Sequence, residues 1–438
     1  NYLILYQINP ENIIMMANSG EKIIYSNFIV SIVIVIYRII LDYSYVSIVS
    51  PLYSSNGLIN FYTITNYVIS WLFLLSLIPF IWQLNKNHSF SNSVLLIFTA
   101  ISMIPTTTLI AYMNLEAKFV ILNYIYWFCF YAYNALFPQI KIKNSFETKK
   151  LFYVICFLLC FTVVYISWKY TGFRFHWNIV DVYDLRFEER ELDINVLLQY
   201  LHNAASVLLP IVLIYFILNR NKIVSLLLMT IILLNFGIGG RKSVLFSLVL
   251  TVVGFYFYQY RRTVFVFSLF TVINLIGLLE FIVIKTNFIV AIISYRLLFL
   301  PALLNYHYYD FFKNNELDYF RQSFLRWFNI ESPYKDNIAF MIGGMYYGNY
   351  EIRGNNGLFT DAYYNMGIMG IILFPLILVF ILRLIESVSK GIKEGMMFVV
   401  VFSVGLTLLS TTFTIALLNN GILLMMIMLY FLPRRNIA

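Results

Sequence analysis

The sequence has little charge. Only 12% of its 438 residues are Asp, Glu, Lys or Arg, against about 25% in an average soluble domain, while 61% are hydrophobic. A soluble fold of this length could not bury so much apolar surface. Many windows of about 20 apolar residues instead meet the length that a helix needs to cross a bilayer. The sequence therefore predicts an all-α polytopic membrane protein, with residues 1–438 forming a single transmembrane domain.

The chain is also poor in residues that bind metals or form disulfides. Its three cysteines, Cys129, Cys156 and Cys160, all fall within apolar segments, and its four histidines are scattered. This spacing predicts neither a disulfide framework nor a metal site. Walker, G-x-S-x-G and HExxH patterns are absent, which argues against ATP-driven transport, elbow-type hydrolysis and zinc proteolysis. We predict no metal and no cofactor.

Apolar runs predict about twelve spanning helices. They lie near residues 23–47, 64–84, 92–111, 119–140, 151–168, 195–218, 223–238, 243–260, 263–284, 362–383, 396–414 and 416–432. Two stretches between them are long enough to form sizeable loops. The first is 169–194, and the second, 285–361, is mostly polar and rich in aromatic side chains.

Lysine and arginine in the short loops predict the orientation. The loop KIKNSFETKK at 141–150 carries four of them, and the loops on that side hold a net charge of +10, whereas the other side is neutral and the charges within the spans bring the whole chain to +9. Short basic loops stay in the cytoplasm, so both termini are predicted to be cytoplasmic and the loops 169–194 and 285–361 external. We expect the bacterial inner membrane, with these loops in the periplasm. The positive charge then serves topology and contact with the lipid bilayer, and not nucleic acid.

Arginines occur on the predicted external side, where topology does not require them. They are Arg174, Arg186, Arg190, Arg241, Arg296, Arg321, Arg326 and Arg353. A guanidinium group binds phosphate through two parallel hydrogen bonds and stays charged. Arg241 lies in the glycine-rich turn GIGGRKS (237–243), whose backbone N–H groups could bind an anion. Arg174 and Arg190 have acidic neighbours in sequence, so local ion pairing is the simpler interpretation for these two.

Two other residues at the predicted external surface could carry chemistry. Asp361 opens a predicted helix beside Tyr363, Tyr364 and Asn365, where a carboxylate could deprotonate a sugar hydroxyl or could cap the helix. His307 lies among aromatic residues in NYHYYDFF, a setting more typical of a structural histidine than of a base. The aromatic side chains themselves could stack on saccharide rings or pack a loop on the bilayer surface.

Several segments resemble one family. VYDLR (182–186), GGRKSVLFSLVL (239–250), YRLLFLPALLNYHYYDFF (295–312), NGLFTDAYYNMGIMG (356–370) and STTFTIALLNNGILL (410–424) resemble, in this order, segments of the Wzy-type oligosaccharide repeat-unit polymerases. The resemblance covers roughly residues 180–425. It implies an all-helical fold with a GT-C-like glycosyltransferase architecture and two external loops.

The resemblance also implies a reaction and a site. A metal-independent glycosyltransferase would join undecaprenyl-diphosphate-linked oligosaccharide units into O-antigen or capsular polysaccharide on the periplasmic face. A chain-length regulator and a flippase would be candidate partners. The catalytic residues would be Arg241, Arg296 and Asp361. The substrate-binding residues would be Tyr183, Arg186, His307, Arg353, Asn356 and Asn365.

Two alternatives involve related substrates. A Wzx-type flippase of lipid-linked oligosaccharides would need charged residues along a path through the spans, and apart from Arg383 at the last position of one span only Arg38, Asp42 and Glu280 lie within predicted spans. An O-antigen ligase has a similar topology with a large late loop, and it would be expected to use a histidine there. His307 is therefore the residue that separates the ligase from the polymerase.

Overall fold

A computed structural model describes residues 10–86, 89–142, 149–174, 185, 188–189, 191–240 and 262–434. The described residues are predominantly helical and include no strand. Eleven of their helices are long and apolar enough to cross a membrane. The chain is thus a polytopic helical membrane protein, as the composition predicts.

The helices are numbered here in chain order. They are α1 (Ser26–Asn56), α2 (Ile64–Asn85), α3 (Phe90–Tyr112), α4 (Ala117–Leu136), α5 (Lys150–Thr171), α6 (Val196–Leu218), α7 (Lys222–Gly239), α8 (Thr263–Ile284), α9 (Val290–Phe312), α10 (Ile338–Tyr347), α11 (Phe359–Val388), α12 (Glu394–Ser410) and α13 (Phe413–Tyr430). Helices α10 and α12 are shorter than the other eleven. Every predicted span overlaps one of these helices except 243–260, which lies outside the described residues.

Helix α9 lies within residues 285–361, the stretch that the sequence predicts as a large external loop. Residues 290–312 mix Leu, Ile and Phe with Tyr, Asn and His, so polar residues interrupt the apolar pattern, although the segment is as apolar on average as α4. It is nevertheless helical from Val290 to Phe312, and its polar residues Ser294, Asn305 and His307 are buried against neighbouring helices. The stretch between α9 and α11 is therefore reduced to 313–358, which contains the short helix α10.

The helix ends fall into two groups. We call one group the basic end, where Arg383 of α11 donates to the carbonyl oxygen of Asn134 at 2.7 Å and Arg434 donates to the carbonyl oxygen of Val388. The other group is the loop end, where α12 returns to α11. There the Gly357 N–H donates to the carbonyl oxygen of Leu409 at 3.1 Å. Which of the two ends faces the cytoplasm stays a prediction from the basic loops.

Both ends of α9 lie at the loop end. Near its start, Tyr295 stacks on Tyr53, close to the end of α1, at 3.8 Å between ring centroids. Just after its last residue, Lys313 binds Glu116, which immediately precedes α4. Helix α9 thus runs across the loop end of the bundle and does not cross to the basic end.

Helix α3 forms the centre of the bundle. It is enclosed along almost its whole length and packs against α1, α2, α9, α11 and α12. Close approach to α12 is possible because residue 405 is glycine, where a Cβ would lie 3.1 Å from the Ile97 side chain. The outer helices instead expose apolar side chains such as Leu72 and Phe157. Those surfaces are suited to contact with lipid.

Candidate functional site at the loop end

Asp361 joins α11 to α13 at the loop end. Its side chain is only 1% exposed. One carboxylate oxygen accepts a hydrogen bond from the Phe413 N–H at 2.5 Å, and the other accepts one from the Asn365 side chain at 2.8 Å. The N–H of Phe413 is at the first turn of a helix, where backbone N–H groups lack helical partners. Asp361 therefore caps α13, and not its own helix.

This geometry bears on the two interpretations of Asp361. Both carboxylate oxygens are engaged, and the group is enclosed by protein. A sugar hydroxyl could reach it only if α11 and α13 separated. The structure thus favours a capping and positioning role over the predicted role of general base.

Asn365 connects α11 to the segment that follows α9. Its amide group donates to the Asp361 carboxylate, and its carbonyl oxygen accepts from the Phe320 N–H at 2.8 Å. The Asp318 N–H donates to the carbonyl oxygen of Tyr364 at 3.0 Å. Asn365 is fully buried, so its described role is to hold residues 318–320 against α11.

Asn356 belongs to a second buried cluster, which fixes the start of α11 on α9. Its side-chain amide donates to the side-chain oxygens of Asn305 and Thr360, both at 2.9 Å, and to the carbonyl oxygen of Pro301. The Thr360 hydroxyl also donates to Asn305 at 2.8 Å. Asn305 was not singled out from the sequence. The signal that could have pointed to Asn305 is its position as a polar residue between the apolar residues of α9.

His307 is a packed aromatic residue in this structure. Its ring stacks on Tyr346 at 4.1 Å between centroids and 10° between planes, and the Tyr347 hydroxyl lies 3.4 Å from Nδ1. Gly57 lies near the other ring nitrogen, where an added Cβ would be 3.7 Å from Nε2. This arrangement fits the structural interpretation of His307 made from the sequence.

Charged residues that sequence reasoning passed over surround the aromatic pair. Lys313 binds both Glu116 and Asp310, the latter at 2.8 Å, and Asp310 accepts a hydrogen bond from the Tyr346 hydroxyl at 2.7 Å. The hydrogen bond from Lys313 lowers the pKa of Glu116, and the hydrogen bonds to Asp310 and Glu116 raise the pKa of Lys313. The four side chains tie the start of α4 to α9 and α10.

Four arginines are predicted as site residues, and two of them, Arg296 and Arg353, lie among the described residues in different surroundings. Arg296 is exposed on α9, next to Tyr295, whose hydroxyl accepts from Asn56 at 2.8 Å. Arg353 is exposed between α10 and α11, with its guanidinium 4.6 Å from the centroid of the Phe340 ring. Both side chains remain at the surface of the loop end, where they could contact a phosphate.

Arg241, Arg186 and Tyr183 lie outside the described residues. The turn that precedes Arg241 is described, and Gly240 adopts a left-handed conformation with φ of 58°. Glu189 packs directly on Gly239, where a Cβ would lie 2.3 Å from the carboxylate, and it lies 3.4 Å from Nε2 of His202. A contact between the buried His202 and the partly exposed Glu189 therefore adjoins the glycine turn, which the scattered histidines of the sequence do not reveal.

The described candidates thus share one end of the bundle but divide into two kinds. Asn356, Asp361 and Asn365 are buried and hold helices together, and His307 is stacked between helices, whereas Arg296 and Arg353 face outward. No group of three or more metal-ligating side chains that could hold an ion occurs within the described ranges.

Comparison with known proteins identifies no relative. No family model matches the chain, and no curated protein or solved structure matches it.

Proposed function

We propose that this chain is a metal-independent glycosyltransferase of GT-C-like architecture that polymerises undecaprenyl-diphosphate-linked oligosaccharide units. One observation carries the proposal. The six described candidate residues, which fall between Arg296 and Asn365 in the sequence, all lie at the loop end of the helical bundle. By the predicted orientation this end faces the periplasm of a bacterial inner membrane, where lipid-linked units would be joined.

The proposed reaction transfers a growing chain from its lipid diphosphate to a hydroxyl of a new lipid-linked unit. The C–O bond to the diphosphate breaks and the diphosphate leaves with the electron pair, the acceptor oxygen forms the new glycosidic bond, and the hydroxyl proton passes to water. Negative charge develops on the departing diphosphate, so positioned guanidinium groups would stabilise the transition state. Arg296 on the exposed part of α9 and Arg241 after the glycine turn are the proposed residues for this task.

The buried residues would act by positioning. Asp361 and Asn365 hold α13 and residues 318–320 on α11, and Asn356 fixes α9 to the same helix. The wide π-helical turns of Val290–Phe299 include Arg296, and such turns are frequent at functional sites. The exposed arginines are therefore displayed on a frame that is fixed by internal hydrogen bonds.

A flippase is the second candidate, and one observation favours it. Arg38 is fully buried in α1, where it donates to Asp42 at 2.6 Å, to Thr107 at 2.8 Å and to Ser70 at 3.1 Å. Ionisable residues inside spans often mark transport pathways. The same pair could instead join α1, α2 and α3.

The test is deletion of the gene from its host, followed by gel electrophoresis of the surface polysaccharide. A polymerase is expected to leave lipid A-core that carries single repeat units. Accumulation of lipid-linked units inside the cell, without any surface units, would support the flippase, and long unligated polymer would support the ligase. Unchanged long-chain ladders would overturn all three assignments.

A further inference from the structure

The segment Tyr319–Ile330, which we call the aromatic segment, exposes a group of large apolar side chains outside the candidate spans. Trp327 and Phe328 are 72% and 71% exposed, and Tyr319, Phe324 and Ile330 are also exposed. Soluble surfaces seldom carry so many neighbouring aromatic side chains, and such patches mark interaction sites. The aromatic segment therefore requires a covering partner.

The backbone of the aromatic segment is fixed. Residues Phe324–Phe328 form a 3₁₀ turn that ends at Asn329, which adopts a left-handed conformation with φ of 58°. At its base, the buried carboxylate of Asp318 accepts hydrogen bonds from the Gln322 N–H at 2.9 Å and from the Ser332 hydroxyl at 2.7 Å. These bonds close the loop, so the exposed side chains project from a stable frame.

The loop frame continues into the helix that follows it. The Gln322 side chain donates to the carbonyl oxygen of Asp336 at 2.7 Å and accepts from the Ile338 N–H at 3.0 Å, at the start of α10. Gln322 therefore connects the aromatic segment to α10, and Tyr346 of α10 stacks on His307 of α9. A partner that binds the aromatic segment would therefore also restrict the position of α10 at the loop end.

The base of the aromatic segment packs on α11 near the start of the apolar surface of that helix. Leu317 and Phe320 contact Gly367 and Asn365, which lie inside the α11 span. The exposed apolar face of the same helix begins at Ile368. Asn365 and Ile368 lie on either side of Gly367, whose non-helical conformation (φ 56°, ψ −137°) interrupts α11, and three residues of chain span at most about 11 Å. The base of the aromatic segment thus lies at the level where the lipid-facing surface of α11 begins.

The composition of the segment fits that level. Tryptophan and tyrosine concentrate at the boundary between hydrocarbon and headgroups. Arg326, which directly precedes Trp327, is exposed and could bind a lipid phosphate. An apolar body with a cationic flank is suited to the interface of a bilayer.

We propose that the aromatic segment inserts Trp327 and Phe328 into the interfacial layer of the membrane at the loop end, and that it anchors residues 313–358 to the bilayer surface. The proposal rests on the location of the segment and is independent of the enzymatic assignment. It concerns the phospholipid surface of the membrane that the protein itself spans.

The test places a nitroxide spin label at positions 327 and 328, one at a time, in the full chain reconstituted in phospholipid nanodiscs. The three native cysteines are replaced by serine so that labelling is specific. Labels at 327 and 328 are expected to be accessible to oxygen and protected from a water-soluble nickel chelate. Labels at the exposed controls Lys335 and Tyr350 are expected to show the reverse.

Two outcomes would overturn the proposal. Access of the nickel chelate to positions 327 and 328 equal to that at position 350 would show that the segment faces water. Protection from both reagents, with spin–spin broadening that disappears on dilution with unlabelled protein, would show that a second copy of the chain covers it.

A second measurement needs no cysteine substitutions. Fluorescence quenching by brominated phospholipids is compared between the native protein and Trp327→Phe. The quenched component of the emission is expected to decrease in the variant. Equal quenching of the two proteins would exclude Trp327 from the bilayer.

Discussion

The Asp361 carboxylate of α11 accepts a hydrogen bond from the Phe413 N–H, so a residue at the start of one membrane helix caps the start of another, 52 positions later in the chain. A residue that looks catalytic in sequence thus has a structural partner. The relationship leads to a prediction that separates the two roles.

Asp361→Ala is expected to lower both thermal stability and activity, because it leaves the Phe413 N–H and the Asn365 amide without their acceptor. Loss of buried hydrogen bonds to a charged group corresponds to about 1–3 kcal/mol. The melting temperature in detergent and the polymer ladder are measured together, with Glu351→Ala at an exposed position as control. An Asp361→Asn variant of native stability that makes no polymer would restore the role of general base.

Arg241→Ala and Arg296→Ala are expected to stop chain growth and to leave membrane insertion unchanged. Removal of one group that stabilises transition-state charge typically lowers a rate by about 100- to 1,000-fold. The polysaccharide gel and the amount of protein in the membrane fraction are the measurements. Lys335→Ala, which removes an exposed cation from the same end, serves as the matched control. Long ladders in both arginine variants would contradict the proposed site.

His307→Phe tests the ligase alternative. Phenylalanine keeps an aromatic ring that can stack on Tyr346 but has no nitrogen for proton transfer. A polymerase with a structural His307 is expected to keep its activity within a few fold, while His307→Ala should lower stability because the stacking is lost. If His307→Phe is as stable as the native protein and inactive, the histidine takes part in chemistry.

The buried pair of α1 predicts an asymmetric response. Asp42→Ala is expected to destabilise the protein strongly, by about 3–5 kcal/mol, because it leaves the Arg38 guanidinium without its countercharge. The double variant Arg38→Met/Asp42→Leu removes both charges and is expected to recover most of the stability. Thermal stability in detergent is compared for the three proteins. A stable double variant that accumulates lipid-linked units inside the cell would support the flippase alternative.

The Glu116–Lys313 pair is expected to contribute to folding stability over a broad range of pH. The pKa of Glu116 is lowered from 4.5 and that of Lys313 is raised from 10.5. The contribution of Glu116 is therefore present above pH 4.5 and lost as the pH falls through its folded pKa. The contribution of Lys313 is present below pH 10.5 and lost as the pH rises through its folded pKa.

Because both side chains are partly exposed, the effect on stability is small. Glu116→Gln is expected to lower the melting temperature by a degree or two at pH 7 and to reduce its dependence on acid pH. Melting curves from pH 3 to pH 8 provide the comparison. If the melting temperature falls as steeply with acid pH in the variant as in the native protein, other carboxylates dominate the acid sensitivity.

The sequence by itself determined the class of the protein and most of its helices. Long apolar runs have few alternatives to spanning helices, because backbone polar groups must be satisfied within the segment when water is excluded. These are local properties, so one sequence is sufficient to read them.

Only the tertiary structure decided the properties that depend on distant residues. Helix α9 is as apolar on average as α4, but polar residues within it, such as Asn305, interrupt the apolar pattern and are matched by partners such as Asn356, 51 positions away. The burial of Asp361 follows from the return of α13, and the position of Trp327 follows from contacts of its loop with α11. Such pairings depend on how the helices pack, and the pattern along the chain does not contain that information.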